Sequence, residues 1–390
     1  MRSVYLDHAA TTPVHPEVIA AMLRYFNPLY GNASSVHSFG RDARMAIDNA
    51  REIVAKAMGA QPNEIFFTSG GTESDNIAII GTALARQAKG RHIITTAIEH
   101  HAVLDACAYL EKQGFEVTYL PVDAYGLVNP SDVNAAIRPD TILISIGHAN
   151  NEVGTIQPLA EIGAIAKAHK VLLHTDAVQS FGSIPVDVND LQVDLLSLSG
   201  HKIYGPKGIG ALYVRRGARP QAIQFGGGQE RKLRPGTENV PGIVGLAKAV
   251  ELAMQEREER NEHISRLRDK LIAGLLTVPE VTLNGHPEQR LPGNVNISVK
   301  YVEGESLILS LDLKGIAVSS GSACTSGSLD PSHVLTAMGL SHEEAHGSLR
   351  LTLGRDNTEA DIDYVLEVFP EIVDRLRAMS PLYNKLDREE

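Results

Sequence analysis

Leu195-Leu196-Ser197-Leu198-Ser199-Gly200-His201-Lys202 is an apolar run of β type that ends in small polar residues, a histidine and a lysine. A lysine just past a buried strand, flanked by Ser, Gly and His, is badly suited to packing. Its amine can lose its proton in a partly desolvated site and hold a carbonyl compound as a Schiff base. The same motif of apolar run and polar end recurs on either side. Strand-like runs at 64–68, 92–96, 117–120, 141–146, 171–174, 195–198 and 210–214 alternate with amphipathic stretches at 16–25, 43–58, 75–87, 103–113 and 159–168. Such alternation predicts an α/β domain built on a mostly parallel, seven-stranded sheet. In these sheets ligands collect outside the carboxyl ends of the strands.

Residues 240–276 read as one long helix, apolar at first and charged in the middle at Gln255-Glu256-Arg257-Glu258-Glu259-Arg260. It is a connector to a second layer, where strands at 295–299 and 348–353 mix with helices. The expected division is a large α/β domain over 15–255 and a smaller α+β domain formed by 1–14 with 256–390. A chain of 390 residues, 43% hydrophobic and 21% charged, is ordinary for a soluble globular protein of this organisation. A formal net charge of −11 argues against nucleic acid as a partner. The N-terminus lacks an apolar leader pattern, and no apolar run approaches a membrane span, so no membrane is expected. Two cysteines, Cys107 and Cys324, are too few for a disulfide framework and point to a reducing, cytoplasmic setting.

Each strand end carries polar groups with a structural and a chemical reading. Ser69-Gly70-Gly71-Thr72-Glu73-Ser74 is either a capped turn, with Thr72 the cap, or a phosphate cradle of helix amides. Glu99-His100-His101 and His148-Ala149-Asn150-Asn151-Glu152 follow the next ends, and taken alone both are ordinary turn or core chemistry. Asp176-Ala177-Val178-Gln179 puts a carboxylate past an apolar strand, which is either a helix cap or the partner of a cationic ring nitrogen. Together they set phosphate donors, a ring-stacking histidine, a ring-nitrogen acid and a Schiff-base lysine on one sheet edge. That coincidence favours pyridoxal phosphate.

With Leu6-Asp7-His8-Ala9-Ala10-Thr11-Thr12-Pro13, Arg234-Pro235-Gly236-Thr237-Glu238-Asn239 and Ser319-Ser320-Gly321-Ser322-Ala323-Cys324-Thr325-Ser326, these segments resemble the NifS/IscS-type cysteine desulfurases of the class-V aminotransferase group. The likeness runs in order to Leu349-Arg350-Leu351. It implies a fold-type I pyridoxal 5'-phosphate enzyme, a homodimer with its sites at the subunit interface. By position, Lys202 matches the Schiff-base lysine, Asp176 the partner of the pyridine nitrogen and Gln179 the donor to the ring hydroxyl. His100 matches the stacked, proton-transferring residue, with His101 as a competitor for that role. Asn151 matches a contact to cofactor or substrate. Gly71, Thr72, Ser199, Gly200 and His201 match the phosphate cradle, and Thr237 its contribution from the partner subunit.

Cys324 lies among small residues that cannot anchor it in a core, so an exposed, mobile loop is expected, with a thiol able to carry sulfur away. Cys107, on an apolar helix face, fits a buried inert thiol. In Ser348-Leu349-Arg350-Leu351 the leucines alternate to one face and Arg350 to the other. Arg350 is either an exposed strand arginine or a bidentate clamp for an α-carboxylate; Arg355 is read as structural. The resemblance implies removal of sulfur from L-cysteine, giving L-alanine and a persulfide on Cys324, with an iron–sulfur scaffold protein as acceptor. It extends to a shared iron–sulfur ligand role for Cys324, the chain's one metal-binding candidate. Selenocysteine lyase or another C–S lyase is the alternative on the same scaffold.

Overall fold

The structure, a computed structural model, describes residues 3–320, 331–380 and 383. Its strands in chain order are β1 (Val4–Tyr5), β2 (Ile65–Thr68), β3 (His92–Thr96), β4 (Glu116–Leu120), β5 (Thr141–Ser145), β6 (Leu172–Asp176), β7 (Leu195–Ser199), β8 (Gly210–Val214), β9 (Val281–Leu283), β10 (Asn294–Val299), β11 (Ile316–Ala317) and β12 (Ser348–Thr352). The central seven-stranded sheet has the order β2-β8-β7-β6-β5-β3-β4. Its pairs from β7 through β4 are parallel, whereas β8 runs antiparallel to both β7 and β2. All seven strands expected from the sequence are present. β7 and β8 are buried along their whole length, which is why they read as continuous apolar runs.

Helices cover both faces of this sheet. Ser38–Ala57 and the first half of Val240–Leu275 pack Ile47, Val54, Ile243 and Val250 into one apolar layer. His101–Glu111 presses Val103, Cys107 and Leu110 into the opposite one. Cys107 is fully enclosed and its thiol is pushed up to about 12 by burial, then by Glu99 and Glu111, as expected of an inert packing residue. The long helix opens on Asn239, whose side chain accepts from the Gly242 amide, with a proline in its first turn. Its second half supplies Ile264, Leu267 and Leu271 to a separate core with β10, β12 and Glu359–Met379. There β12-β10-β9 form an antiparallel sheet, and β1 pairs in parallel with β11.

The helix expected at 75–87 begins earlier, at Gly71, and passes through a π-helical turn at Ile77–Gly81 before resuming at Thr82. Gly70, at φ 155° and ψ −175°, makes the sharp exit from β2 that only glycine adopts easily. Thr72 is therefore inside the first turn, not its cap. Among the described residues no helix is long and apolar enough to cross a membrane.

Candidate active site

A cavity of about 350 Å³ opens outside the carboxyl ends of β2, β3, β5, β6 and β7. Its wall includes Gly71, Thr72, His100, Asn151, Asp176, Gln179, Ser199, His201, Lys202 and Arg350, so ten of the residues singled out in the sequence converge on one space. Gly200 is buried beside it but does not line it. Thr237 is exposed and does not line this cavity. Cys324 lies outside the described residues.

Lys202 ends a single 3₁₀ turn, Gly200–Lys202, immediately after β7. The turn is pinned by the Gly200 amide donating to Ile209 O at 3.0 Å and by Thr12 Oγ1 donating to His201 O at 2.9 Å. Its amine donates to the carbonyls of Ala9 and Ala10, the latter at 3.0 Å, so the N-terminal Leu6–Pro13 segment holds the lysine over the cavity. Gln179 Nε2 donates to the same Ala9 carbonyl at 3.0 Å.

Asp176 is the last residue of β6, and its Oδ1 accepts from the Val178 amide at 2.8 Å. Burial raises its pKa, while His100 and Lys202 and the amide hydrogen bond pull it back. A cationic ring beside it would hold it ionised. His100 caps Glu99's neighbouring helix, its Nδ1 accepting from the Ala102 amide at 3.1 Å, which places the neutral ring's proton on Nε2. Burial lowers its pKa first, and the charges of Lys202, His101 and His333 add to that against Asp176. His100 lines the cavity, whereas the His101 ring lies tilted against His333 with ring centroids 5.0 Å apart.

Arg350 is no exposed strand arginine. It is 3% exposed, on the face of β12 opposite the fully buried Leu349 and Leu351. Its Nη2 meets Asp7 Oδ1 at 3.0 Å, its Nη1 donates to Asn151 O at 3.1 Å, and its buried Nε has no partner among the described residues. Asp7 was thus part of a quoted motif whose role was missed; no local signal links positions 343 residues apart. Arg355 reaches Glu256 and lies over Tyr204, a structural placement. Two further buried acids escaped sequence reasoning. Glu99 accepts from Thr96 Oγ1 at 2.6 Å and the Gly147 amide at 2.9 Å, and burial pushes it up to about 8. Asp75, on the inner face of Gly71–Asn76, also lines the cavity.

The arrangement defines a class. The chain belongs to the aminotransferase class-V family, whose pattern matches residues 4–365. Cysteine desulfurase IscS of Methanosarcina thermophila is 61% identical over 384 residues, covering 98% of this chain and 95% of that protein. Cysteine desulfurase IscS 1 of Archaeoglobus fulgidus is 52% identical over 381 residues, covering 98% of this chain and 100% of that protein. Among solved structures, a NifS-like protein superposes with TM-score 0.91 at 42% identity, covering 96% of this chain and 100% of its own. SspA in complex with cysteine superposes with TM-score 0.81 at 41% identity, covering 91% and 100% respectively.

The cofactor of this family is pyridoxal 5'-phosphate, and the residues here fit it. A Cβ on Gly71 would meet Val178 Cγ2 at 2.7 Å, so the first helical turn admits close approach only as glycine. The amides of Gly71 and Thr72 open that helix beside Ser199 and His201, a donor set suited to a phosphate. Asp176 at the floor suits a protonated pyridine, and Lys202 an aldehyde.

Proposed function

We propose that this chain is a cysteine desulfurase that takes sulfur from L-cysteine, releases L-alanine and carries the sulfur as a persulfide on Cys324. The observation that carries this reading is the convergence of Lys202, Asp176, His100 and Arg350 on one cavity. Bound pyridoxal 5'-phosphate supplies an electron sink for charge developing at the substrate's α-carbon. Gly71, Thr72, Ser199 and His201 would hold its phosphate, with Gly200 shaping the turn beside them, and Gln179 and Asn151 would hold its polar edge. Asp176 would balance the charge of the ring nitrogen, and His100 would lie against the ring.

Arg350, on the cavity wall, would receive the substrate carboxylate in an enclosed place where a charge-assisted pairing is strong. Lys202, held above the cavity by the Ala9 and Ala10 carbonyls, is the base for the α-proton. His100, with its proton on Nε2, shuttles protons to and from the reacting centre. The Cys324 thiolate attacks the substrate sulfur. The S–S bond forms as the Cβ–S bond breaks, that electron pair stays with the carbon skeleton, and the skeleton takes up a proton before leaving as alanine.

A homodimer and an iron–sulfur scaffold acceptor complete the reading, with Cys324 as a transient iron–sulfur ligand during transfer. Supporting the dimer are Val36 and Phe225, 89% and 84% exposed, with Phe26, Tyr30 and Phe39 also uncovered, and the exposed Thr237. The two cores support treating 15–255 as the large domain and 1–14 with 256–390 as the small one. A reducing cytoplasm suits a working thiol. The test is to incubate the holoenzyme with cysteine and analyse the products by mass spectrometry. Equimolar alanine and one added sulfur on Cys324 are expected, and alanine without that sulfur would refute the persulfide step.

A further inference from the structure

Asp75 has no place in the chemistry above, yet it lines the same cavity at 1% exposure. Among the described residues its Oδ1 has no hydrogen-bond partner, and it lies 3.5 Å from His174 Nε2. His174 is fully buried, with Nδ1 2.8 Å from Ser145 Oγ and Nε2 3.1 Å from Ser197 Oγ. Burial pushes that imidazole down to about 3, so it is neutral and provides no counter-charge. Polar atoms of Asp75, Asp176 and His100 lie within 4.8 Å of one another. Two carboxylates so close in an enclosed space cannot both ionise without large cost, so one keeps a proton.

The surroundings decide which. Asp176 takes an amide hydrogen bond and faces His100 and Lys202, all of which favour its charged form. Asp75 is raised by burial first and then by the charges of Asp176 and Glu99, with the Ser197 hydroxyl alone opposing. We propose that Asp75 is a positioning residue: a neutral carboxylic acid that directs its proton toward Asp176 and leaves Asp176 the one anion under the cofactor ring. The floor and the cationic ring then cancel, where a second anion would fix the ring proton too firmly to respond during turnover. The inference rests on the cofactor reading above.

Infrared spectra of holoenzyme carrying ¹³C-aspartate, recorded at about pH 8, test it. A protonated-carboxyl C=O band that shifts with the aspartate label is expected, and it should vanish in Asp75→Asn; Glu99, unlabelled, does not contribute to that shift. Asp75→Asn should leave the pH midpoint of the cofactor's visible band unmoved. Asp75→Leu, which lacks the donor, should weaken cofactor affinity about tenfold or more. No label-sensitive acid band in the wild-type holoenzyme overturns the proposal, and this needs no variant to fold. A band that survives Asp75→Asn, or a midpoint displaced to lower pH in that variant, overturns it as well. Absence of visible cofactor absorbance in the wild type would instead contradict the cofactor assignment, while the labelled band still reports on Asp75.

Discussion

Replacing Arg350 with Ala isolates the carboxylate clamp. The guanidinium is 3% exposed and already holds Asp7 Oδ1 at 3.0 Å and Asn151 O at 3.1 Å. A substrate carboxylate adds charge-assisted hydrogen bonds worth about 1.5–3 kcal/mol each in an enclosed site. Two of them give about 3–6 kcal/mol, and sharing the cation with Asp7 reduces the net to about 2–4 kcal/mol. At about 1.4 kcal/mol per decade, affinity for the α-carboxylate should fall roughly 30- to 700-fold. Alanine, the product, and ethylamine, its analogue without a carboxylate, are each titrated against the cofactor's visible band in wild type and Arg350→Ala. Alanine binding should collapse toward that of ethylamine, and ethylamine should be little changed. Because the substitution leaves Asp7 without its cation, the Asp7→Asn/Arg350→Ala pair is measured too, and it should show the same loss. Alanine weakened by less than about threefold in both variants would refute the assignment, since that is under half the smallest expected free energy.

Cys324→Ala should keep the visible cofactor absorbance yet lose sulfide release from cysteine with a thiol reductant; undiminished turnover would remove Cys324 from the reaction. Lys202→Ala should show no borohydride-reducible attachment of cofactor, and normal attachment would contradict its role. Glu230→Ala strips the partner from Arg51, a buried bidentate pair with both contacts at 2.7 Å, and should cost about 3–5 kcal/mol in urea denaturation. His8, His148 and His201 are pushed down to about 4 by burial, and His174 to about 3. The unfolded chain therefore binds more protons between the ordinary histidine value and those values, so thermal midpoints should fall as pH drops from about 6.5 to 4. Flat midpoints across that window would show that these imidazoles are not held neutral.

The sequence by itself determined the large sheet, because its strands are runs long enough to read, and those at β2, β3 and β5 are each followed by a helical stretch of 3.6-residue period. It also singled out Lys202, Asp176 and His100 as polar groups placed where packing has no use for them, and the three line one cavity. Two-residue strands such as β1 and β11 carry no periodicity, and only their partner's position makes them strands. Tertiary structure alone decided what meets what. Asp7 reaches Arg350 because β1 and β12 converge beside the cavity, and Asp75 comes near Asp176 because the helix after Gly70 packs on β7, the neighbour of β6 in the sheet. Charge coupling depends on distance through space, and a chain written in order records only distance along itself.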